Sequence, residues 1–548
     1  MSKQVLRVIP LGGLGEVGKN MTVFEYGDDA IIIDAGIMFP ENDMLGIDFI
    51  IPDYKYLVEN RHRLKIHALL VTHGHEDHTG AIPYLLKDVP VPVYGTSLTC
   101  GLVRIKLKDA GLKEHPVHVF KAGETLKFGP FTIESFHVTH SIPDCVGFGI
   151  RTPVGLVIHS GDYKFDHTPV DGWPSDLARI ASLSQEGVLA LLGDSTNADK
   201  PGWTPSESRI DPAFDIVFRD APGRIIVATF ASLISRIQQV ANAGQDYGRK
   251  LAVAGYSMTQ NIKIARKLGY LDIPDDMIIS IEESQKLPPD QVVIMATGTQ
   301  GEPSAVLGRL AYGTHRQLEV QPDDTIVMSS HPIPGNEEVV HRITNKLIQR
   351  GAHVIYDPKS QVHVSGHASQ EEMKLLLNLV RPKFFVPVHG ELRHLHSHAD
   401  LAFELGIPSE NIAVIENGQV LEFSKDTMTI AERVPGGYVF VDGAGIGDVG
   451  PAVLRDREAL ARDGFLMIVG VVDKKTGKMT KEPEIISRGF VYLGSAEELF
   501  ESTRDLVREV ASQSSNGSRD QQVQTAVKKM LYTETKRRPM VFAHIHEM

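Results

Sequence analysis

The run His73-Gly74-His75-Glu76-Asp77-His78 follows directly on the apolar stretch Ala68-Leu69-Leu70-Val71-Thr72. Four metal-competent side chains thus sit where a buried strand gives way to a turn that can aim them at one point. Imidazole together with carboxylate suits zinc or manganese, whereas calcium takes oxygen donors only. A strand presents alternate faces, so His73 and His75 can share one ion while Asp77 and His78, past the bend, reach a second. Any fold open to this chain must bring further donors to that strand end.

Candidates close apolar runs far along the chain. His140 ends Phe136-His137-Val138-Thr139-His140, Asp162 follows Leu156–His159, and His389 ends Phe384-Phe385-Val386-Pro387-Val388-His389. A lone histidine or aspartate is more often structural than ligating, and their common position at strand ends is what singles these out. We assign His73, His75 and His140 to one ion, Asp77, His78 and His389 to the other, and Asp162 to a bridge. Asp34, in Ile32-Ile33-Asp34-Ala35-Gly36, is placed to orient a ligand imidazole from behind. Two ions about 3.5–4 Å apart acidify a shared water and brace the attacking and leaving oxygens. That suits phosphodiesters, amides and thioesters alike.

At 548 residues the chain exceeds one ordinary core and predicts two or three domains of α/β type. Many short strands occupy the first part: Met21–Tyr26, Ala30–Asp34, Ile66–Thr72, Val91–Tyr94, Thr132–Val138, Val146–Arg151 and Leu156–His159. From about residue 206 regular βαβ units begin at Arg224, Lys250, Gln291, Thr325 and His353, predicting an open parallel sheet. A helix (Glu371–Leu379), a strand (Lys383–Val388) and a hairpin (Ile412–Val414 with Gln419–Phe423) then complete what came before. Asp442–Gly450 reads as a Gly-rich linker, and strands Phe465–Asp473, Glu484–Val491 and Met540–Ile545 with two helices predict a small α+β tail.

Two cysteines, Cys100 and Cys145, are too few for a disulfide framework and point to a reducing cytoplasm. The start of the chain lacks the apolar run of a secretory signal, and no stretch predicts a membrane span. A net charge of −13 argues against coating nucleic acid through bulk charge. It leaves a nucleic-acid enzyme open, because bound divalent ions and local cations outweigh a distant field.

In the βαβ region, strands run into Ser- or Gly-rich turns that open helices, as at Thr229–Ser232, Thr297–Gly301 and Ser329–Gly335. Helix N-termini gathered at one sheet edge suit phosphate oxygens. In Ser365-Gly366-His367, Gly366 allows close backbone approach, Ser365 offers a hydroxyl and His367 can donate a proton. Other motifs mislead. Gly13-Leu14-Gly15-Glu16-Val17-Gly18 precedes a strand rather than a helix, which defeats a dinucleotide reading. Gly445–Gly450 opens a domain too short for a full doubly wound sheet. His394 and His398 share a helix face and read as surface residues, and Lys528-Lys529 with Lys536-Arg537-Arg538 reads as a solvated basic cluster.

The His-x-His-x-Asp-His run with a distal His, a bridging Asp and a late His is similar to the metallo-β-lactamase superfamily. The βαβ insertion before His389 resembles its β-CASP branch, with Asp194 in Gly193-Asp194-Ser195-Thr196-Asn197, His367 in His363-Val364-Ser365-Gly366-His367-Ala368, and His389 as the three marks. Together with Ser330–Glu337 and Asp442–Gly450 these resemble the bacterial ribonuclease J family over nearly the whole chain. The resemblance implies an αββα sandwich in two pieces, 1–205 and 363–440, interrupted by a β-CASP domain at 206–362. A linker at 441–455 and an α+β domain at 456–548 follow.

It further implies a ribonuclease of RNA processing and decay with two divalent ions per subunit, zinc first, with manganese or magnesium as alternatives. Metal-hydroxide attack on the phosphodiester would leave 3′-hydroxyl and 5′-phosphate ends, by 5′→3′ exonucleolysis on 5′-monophosphorylated single-stranded RNA and by endonucleolysis. Asp77, Asp194 and His367 would be the catalytic residues, with Asp194 orienting water or a ligand. His363, Ser365, Gly366 and His367 would hold phosphate, and Ser232, Arg236, Ser330 and His331 would line a 5′-monophosphate pocket. The tail would support a homodimer or homotetramer, with an RNA helicase or decay complex as partners. Competing readings are a tRNA 3′-processing enzyme, against which the long insert argues, a DNA repair nuclease, against which His389 argues by favouring RNA, and a small-molecule thioesterase or lactamase, against which the insert and third domain argue.

Overall fold

The computed structural model describes residues 5–41, 43–302, 304–333, 335–356, 360–491, 497–513 and 519–548. Residues 1–4, on which the signal-peptide argument falls, and Pro334 of the Ser330–Glu337 motif lie outside the described residues. The chain divides into two compact units, Met1–Phe39 with Phe49–Val439, and Pro40–Asp48 with Phe440–Met548.

The larger unit contains a two-sheet sandwich. One sheet runs in the order Met428–Arg433, Gln419–Phe423, Leu6–Gly12, Met21–Tyr26, Asp29–Ile33, Lys65–Leu70, Val93–Gly95 and Val117–Val119. The other runs Phe384–Val388, Val188–Asp194, Gly155–His159, Val146–Thr152, Phe131–His137 and Thr125–Phe128. Phe24, Ile31 and Leu70 of the first meet Phe148, Val157 and Leu192 of the second in one apolar core. The alternation of buried side chains follows from the two-residue strand period. The expected hairpin is corrected: Gln419–Phe423 pairs with Met428–Arg433 and Leu6–Gly12, and Ile412 makes only an isolated bridge to Phe385.

Strand direction decides where the candidate ligands emerge. Gly155–His159, Val188–Asp194 and Phe384–Val388 are parallel neighbours, so Asp162, Asp194 and His389 leave the same edge. Phe131–His137 is antiparallel to Val146–Thr152, itself antiparallel to Gly155–His159, which turns His140 to that edge too. In the facing sheet Asp29–Ile33 and Lys65–Leu70 are parallel and deliver Asp34 and His73 from their carboxyl ends.

Between the two parts of the sandwich lies a sheet of six wholly parallel strands, Ile278–Ile279, Lys250–Ala254, Val292–Ala296, Ile225–Ala228, Thr325–Met328 and His353–Tyr356. Its central strands are apolar throughout because helices cover both faces.

In the smaller unit Phe465–Val472 pairs parallel with Met540–Glu547 and antiparallel with Glu484–Arg488. Helices Glu497–Gln513 and Arg519–Thr535 bury Val507, Ala511, Val523, Val527 and Leu531 against Leu466, Ile468 and Val541. Inside the expected linker, Val441 and Asp442 pair with Ile446 and Gly445. The excursion Pro40–Asp48 belongs to this unit through Asp48, whose N–H donates to Val441 O (2.9 Å) and whose carboxylate accepts from Gly443 N (2.7 Å). No helix among the described residues is long and apolar enough to cross a membrane.

Candidate metal centre and phosphate-binding loops

Asp34, His140, Asp162, Asp194 and His389 at the carboxyl edge of the sandwich meet the His73–His78 turn in one cluster. His75 Nδ1 lies 3.1 Å from His73 Nε2 and 3.2 Å from His140 Nε2. Donors roughly 2.0–2.1 Å from a single zinc ion lie about 2.8–3.4 Å apart for right to tetrahedral angles, so this spacing fits a shared cation. Asp77, His78, Asp162 and His389 offer a second set of atoms, all within 4.8 Å of one another. Asp162 stands at the centre: Oδ2 is 3.1 Å from His78 Nε2, 3.7 Å from His73 Nε2 and 3.8 Å from His140 Nε2.

Most of these rings have their outer nitrogen tied down, which leaves the inner lone pair for the centre. His78 Nδ1 donates to Asp34 Oδ2 (2.8 Å), His140 Nδ1 to Gly366 O (2.7 Å), and His73 Nδ1 to Thr72 Oγ1 (3.0 Å). Thr72 in turn donates its hydroxyl hydrogen to Asp34 Oδ2 at 2.8 Å. His389 Nδ1 donates to Asp162 Oδ1 (2.8 Å), while its Nε2 is buried without a hydrogen-bond partner among the described residues. An orphaned, buried imidazole nitrogen 3.5 Å from Asp77 Oδ2 is what a metal-ligating pair leaves behind. Asp34 and His389 both adopt the left-handed backbone region, at φ 60° and 54°, a cost of order 1–3 kcal/mol each that the surrounding fold must hold.

The electrostatics differ between the two sides. Burial and then the neighbouring imidazoles push His73 and His140 well below the ordinary histidine value, and burial overcomes Asp77 and Asp162 to hold His75 at about 4. These rings are neutral donors. Burial also pulls on His389, but Asp162, Asp77 and Asp194 prevail and hold it up at about 10; His78 is likewise raised by Asp162, Asp77 and Asp34. Burial opposes ionisation of Asp77 and Asp162, yet His78 and His389 keep both carboxylates well below their usual range.

His367 stands beside this centre, its Nδ1 2.8 Å from Asp194 Oδ2. The other Asp194 oxygen accepts from Thr196 N (3.0 Å) and Thr196 Oγ1 (2.8 Å), so the carboxylate cannot swing away. Burial lowers His367, but Asp194 outweighs it and raises the ring above the ordinary value. Gly366 also has a use beyond the one expected: a Cβ there would lie 2.7 Å from His140 Cε1 and Nδ1, so its smallness admits the His140 ring. Ser365 Oγ accepts from Asn197 Nδ2 (2.8 Å) and His367 N (3.2 Å).

Arg236 requires a correction. Its guanidinium is fully buried, donating to Glu207 Oε2 (2.8 Å), Gln239 Oε1 (2.9 Å), Val362 O (2.7 Å) and Ser329 Oγ, so it cannot line an open phosphate pocket. Glu207 also pairs with Lys164 (3.3 Å), another fully buried cation, which donates to Ser365 O at 3.2 Å. Glu207→Gln would leave two buried cations short of one anion and cost about 3–5 kcal/mol of stability; urea unfolding measures it. Of the remaining pocket candidates, Ser232 is half-buried, Ser330 buried, and His331 exposed with its ring 4.7 Å from His363, edge to face. His363 Nδ1 and Thr299 Oγ1 are buried without hydrogen-bond partners among the described residues. They lie on loops that follow the parallel strands Val292–Ala296 and His353–Tyr356.

Sequence reasoning missed several supporting residues. Lys164 carries no periodic signal. Gly36, where a Cβ would fall 1.6 Å from Asp77 O, gave a sign only in its place after Asp34. His394 and His398, read as surface residues, are buried; His398 Nδ1 lies 3.0 Å from Ser195 Oγ and its ring packs on Phe385.

Four family descriptions match consecutive parts of the chain: Metallo-beta-lactamase superfamily at residues 14–211, Ribonuclease J, beta-CASP domain at 222–347, Zn-dependent metallo-hydrolase RNA specificity domain at 353–412, and Ribonuclease J C-terminal domain at 452–548. Ribonuclease J 1 of Streptococcus pyogenes serotype M3 is 46% identical over 545 residues, covering 97% of this chain and 96% of that protein. Ribonuclease J2 of Bacillus subtilis strain 168 is 42% identical over 550 residues, covering 99% of each. A crystal structure of a protein of unknown function from Enterococcus faecalis V583 superposes with a TM-score of 0.55 at 15% identity, over 76% of this chain and all of that one, a likeness of fold alone.

Proposed function

This chain belongs to the ribonuclease J family, a metal-dependent ribonuclease by its kin and its domains, and from that premise we propose how its site works. The enzyme cleaves single-stranded RNA 5′→3′ from a 5′-monophosphate and also cuts internally. His73, His75 and His140 would hold one divalent ion and Asp77, His78 and His389 a second, with Asp162 within reach of both and zinc the favoured metal. The observation that carries this reading is the convergence of donor atoms whose outer nitrogens are already tied down, beside the His367–Asp194 pair.

When bound, such ions acidify water and neutralise charge on the scissile phosphate. The protein's own part is positioning and proton transfer. Asp34, Thr72 and the Gly366 carbonyl fix the ligand rings. Asp194 keeps His367 protonated, and His367 gives its Nε2 proton to the departing 3′ oxygen. Products then carry 3′-hydroxyl and 5′-phosphate ends, because the ribose 2′-hydroxyl takes no part. His363 Nδ1, Thr299 Oγ1, Ser232, Ser330 and His331 receive the 5′-phosphate.

End-labelled RNA bearing a 5′-monophosphate or a 5′-triphosphate tests the reading. Faster mononucleotide release from the monophosphate is expected, and 2′,3′-cyclic phosphate products would overturn it. Acid sensitivity should differ between the two metal positions. His75 titrates at about 4 and does not compete with a cation at neutral pH, whereas His389, held at about 10, must release a proton. On acidification followed by dialysis, the ion held by Asp77, His78 and His389 should therefore be lost before the ion held by His73, His75 and His140.

The exposed side of the small unit's sheet alternates Met467, Val469, Val471, Ile486 and Phe542 outward, and this face supports a homodimer or homotetramer. Cys100 and Cys145, both buried as thiols, support a cytoplasmic setting.

A further inference from the structure

We propose that the indole of Trp203, with the His167 ring beside it, is a stacking platform for a nucleobase of single-stranded RNA next to the scissile phosphate. Trp203 is one of only two tryptophans and is 50% exposed. The other, Trp173, already has its face stacked on His137, with centroids 3.7 Å apart and planes at 7°. Among the described residues no ring is stacked on Trp203; His167, itself exposed, lies 6.3 Å away at 46°.

The backbone that carries Trp203 is clamped to the loop that carries His367. Asn197 Nδ2 donates to His367 O (3.1 Å) and to Ser365 Oγ (2.8 Å) at one foot of the clamp. At the other foot Thr204 Oγ1 donates to the same His367 carbonyl (2.7 Å), and Thr204 N to Glu372 Oε2 (2.7 Å). Between them Lys200 O and Gly202 O accept from Gln370 N and Glu371 N, each at 3.0 Å. An exposed aromatic ring is thus carried on a loop hydrogen-bonded on both sides to the backbone of the proposed proton donor.

Asp77, His367 and His75 of the centre keep partial exposure, 31% and 18% of the side chain for the first two, whereas His73, His78, Asp162 and His389 are almost fully enclosed. A strand entering at His367 passes the Trp203 loop. Lys200, exposed on the same loop with its Nζ 3.7 Å from Asp199 Oδ2, can turn from that loose surface pair to an adjoining phosphate. Indole faces stack any base, which suits an enzyme that must advance along RNA without regard to sequence.

This inference rests on the reading of the chain as an RNA enzyme, and the experiment separates the two. Trp173→Phe leaves Trp203 as the sole indole, and His367→Ala in that background keeps the RNA intact. Anisotropy of a labelled 5′-monophosphorylated oligonucleotide reports binding, and indole emission reports the stack. Emission should be quenched at the RNA concentrations that raise anisotropy, and an oligonucleotide without bases at its first positions should abolish the quench. Trp203→Ala should weaken binding roughly tenfold to hundredfold with metal content unchanged, and Trp203→Phe should restore most of it. Saturating anisotropy with unchanged emission, or Trp203→Ala binding within twofold of its parent, overturns the platform and leaves the RNA reading standing. Absence of RNA binding in the parent protein sinks both.

Discussion

Asp162→Ala loses metal and lowers RNA cleavage by roughly 10³- to 10⁴-fold, the largest effect expected of any single substitution. Bound ions supply several kcal/mol of transition-state stabilisation, and each ~1.4 kcal/mol is a factor of ten. Asp162 is placed to reach both donor sets, since one oxygen lies 2.8 Å from His389 and the other within 3.8 Å of His73, His78 and His140. Its removal also leaves His78 and His389 raised by fewer carboxylates, in a buried space that tolerates charge poorly. Metal analysis alongside single-turnover rates checks this. Full metal content with undiminished rate would remove Asp162 from the mechanism.

His367→Ala retains metal and lowers kcat by about 10²- to 10⁴-fold, the range for loss of a positioned general acid, with KM little changed. The imidazole is raised by Asp194, so Asp194→Asn should act through it. The sign follows directly. Asp194 favours the imidazolium; without its charge the ring loses its proton at lower pH, and the alkaline limb of the kcat profile moves toward acid. A loss of rate with an unmoved pH profile would assign Asp194 a purely structural part.

Much of this site was legible in the linear chain because metal ligation restricts side-chain chemistry and strand ends restrict position. His73, His75, Asp77 and His78 announce themselves by spacing, and His140, Asp162 and His389 by closing apolar runs. The parallel insert was legible for a similar reason, since strands such as Val292–Ala296, covered on both faces, read as unbroken apolar runs. Strand pairing was less so: Gln419–Phe423 was assigned the wrong hairpin partner, because an apolar run does not carry the identity of its neighbour in the sheet.

Arg236 shows the limit most clearly. As a sequence symbol it is a cation beside a Ser-rich turn, suited to phosphate; folded, it is spent on Glu207, Gln239 and two further oxygens inside the protein. His394 and His398 were misjudged in the same way, their shared helix face being the inner one. Residue type and local period therefore determined which groups this protein has for its chemistry and the elements that carry them. Only the tertiary structure decided which of those groups remain available. Availability depends on burial and on hydrogen-bond partners supplied by distant segments, and nothing in a local stretch of chain encodes either.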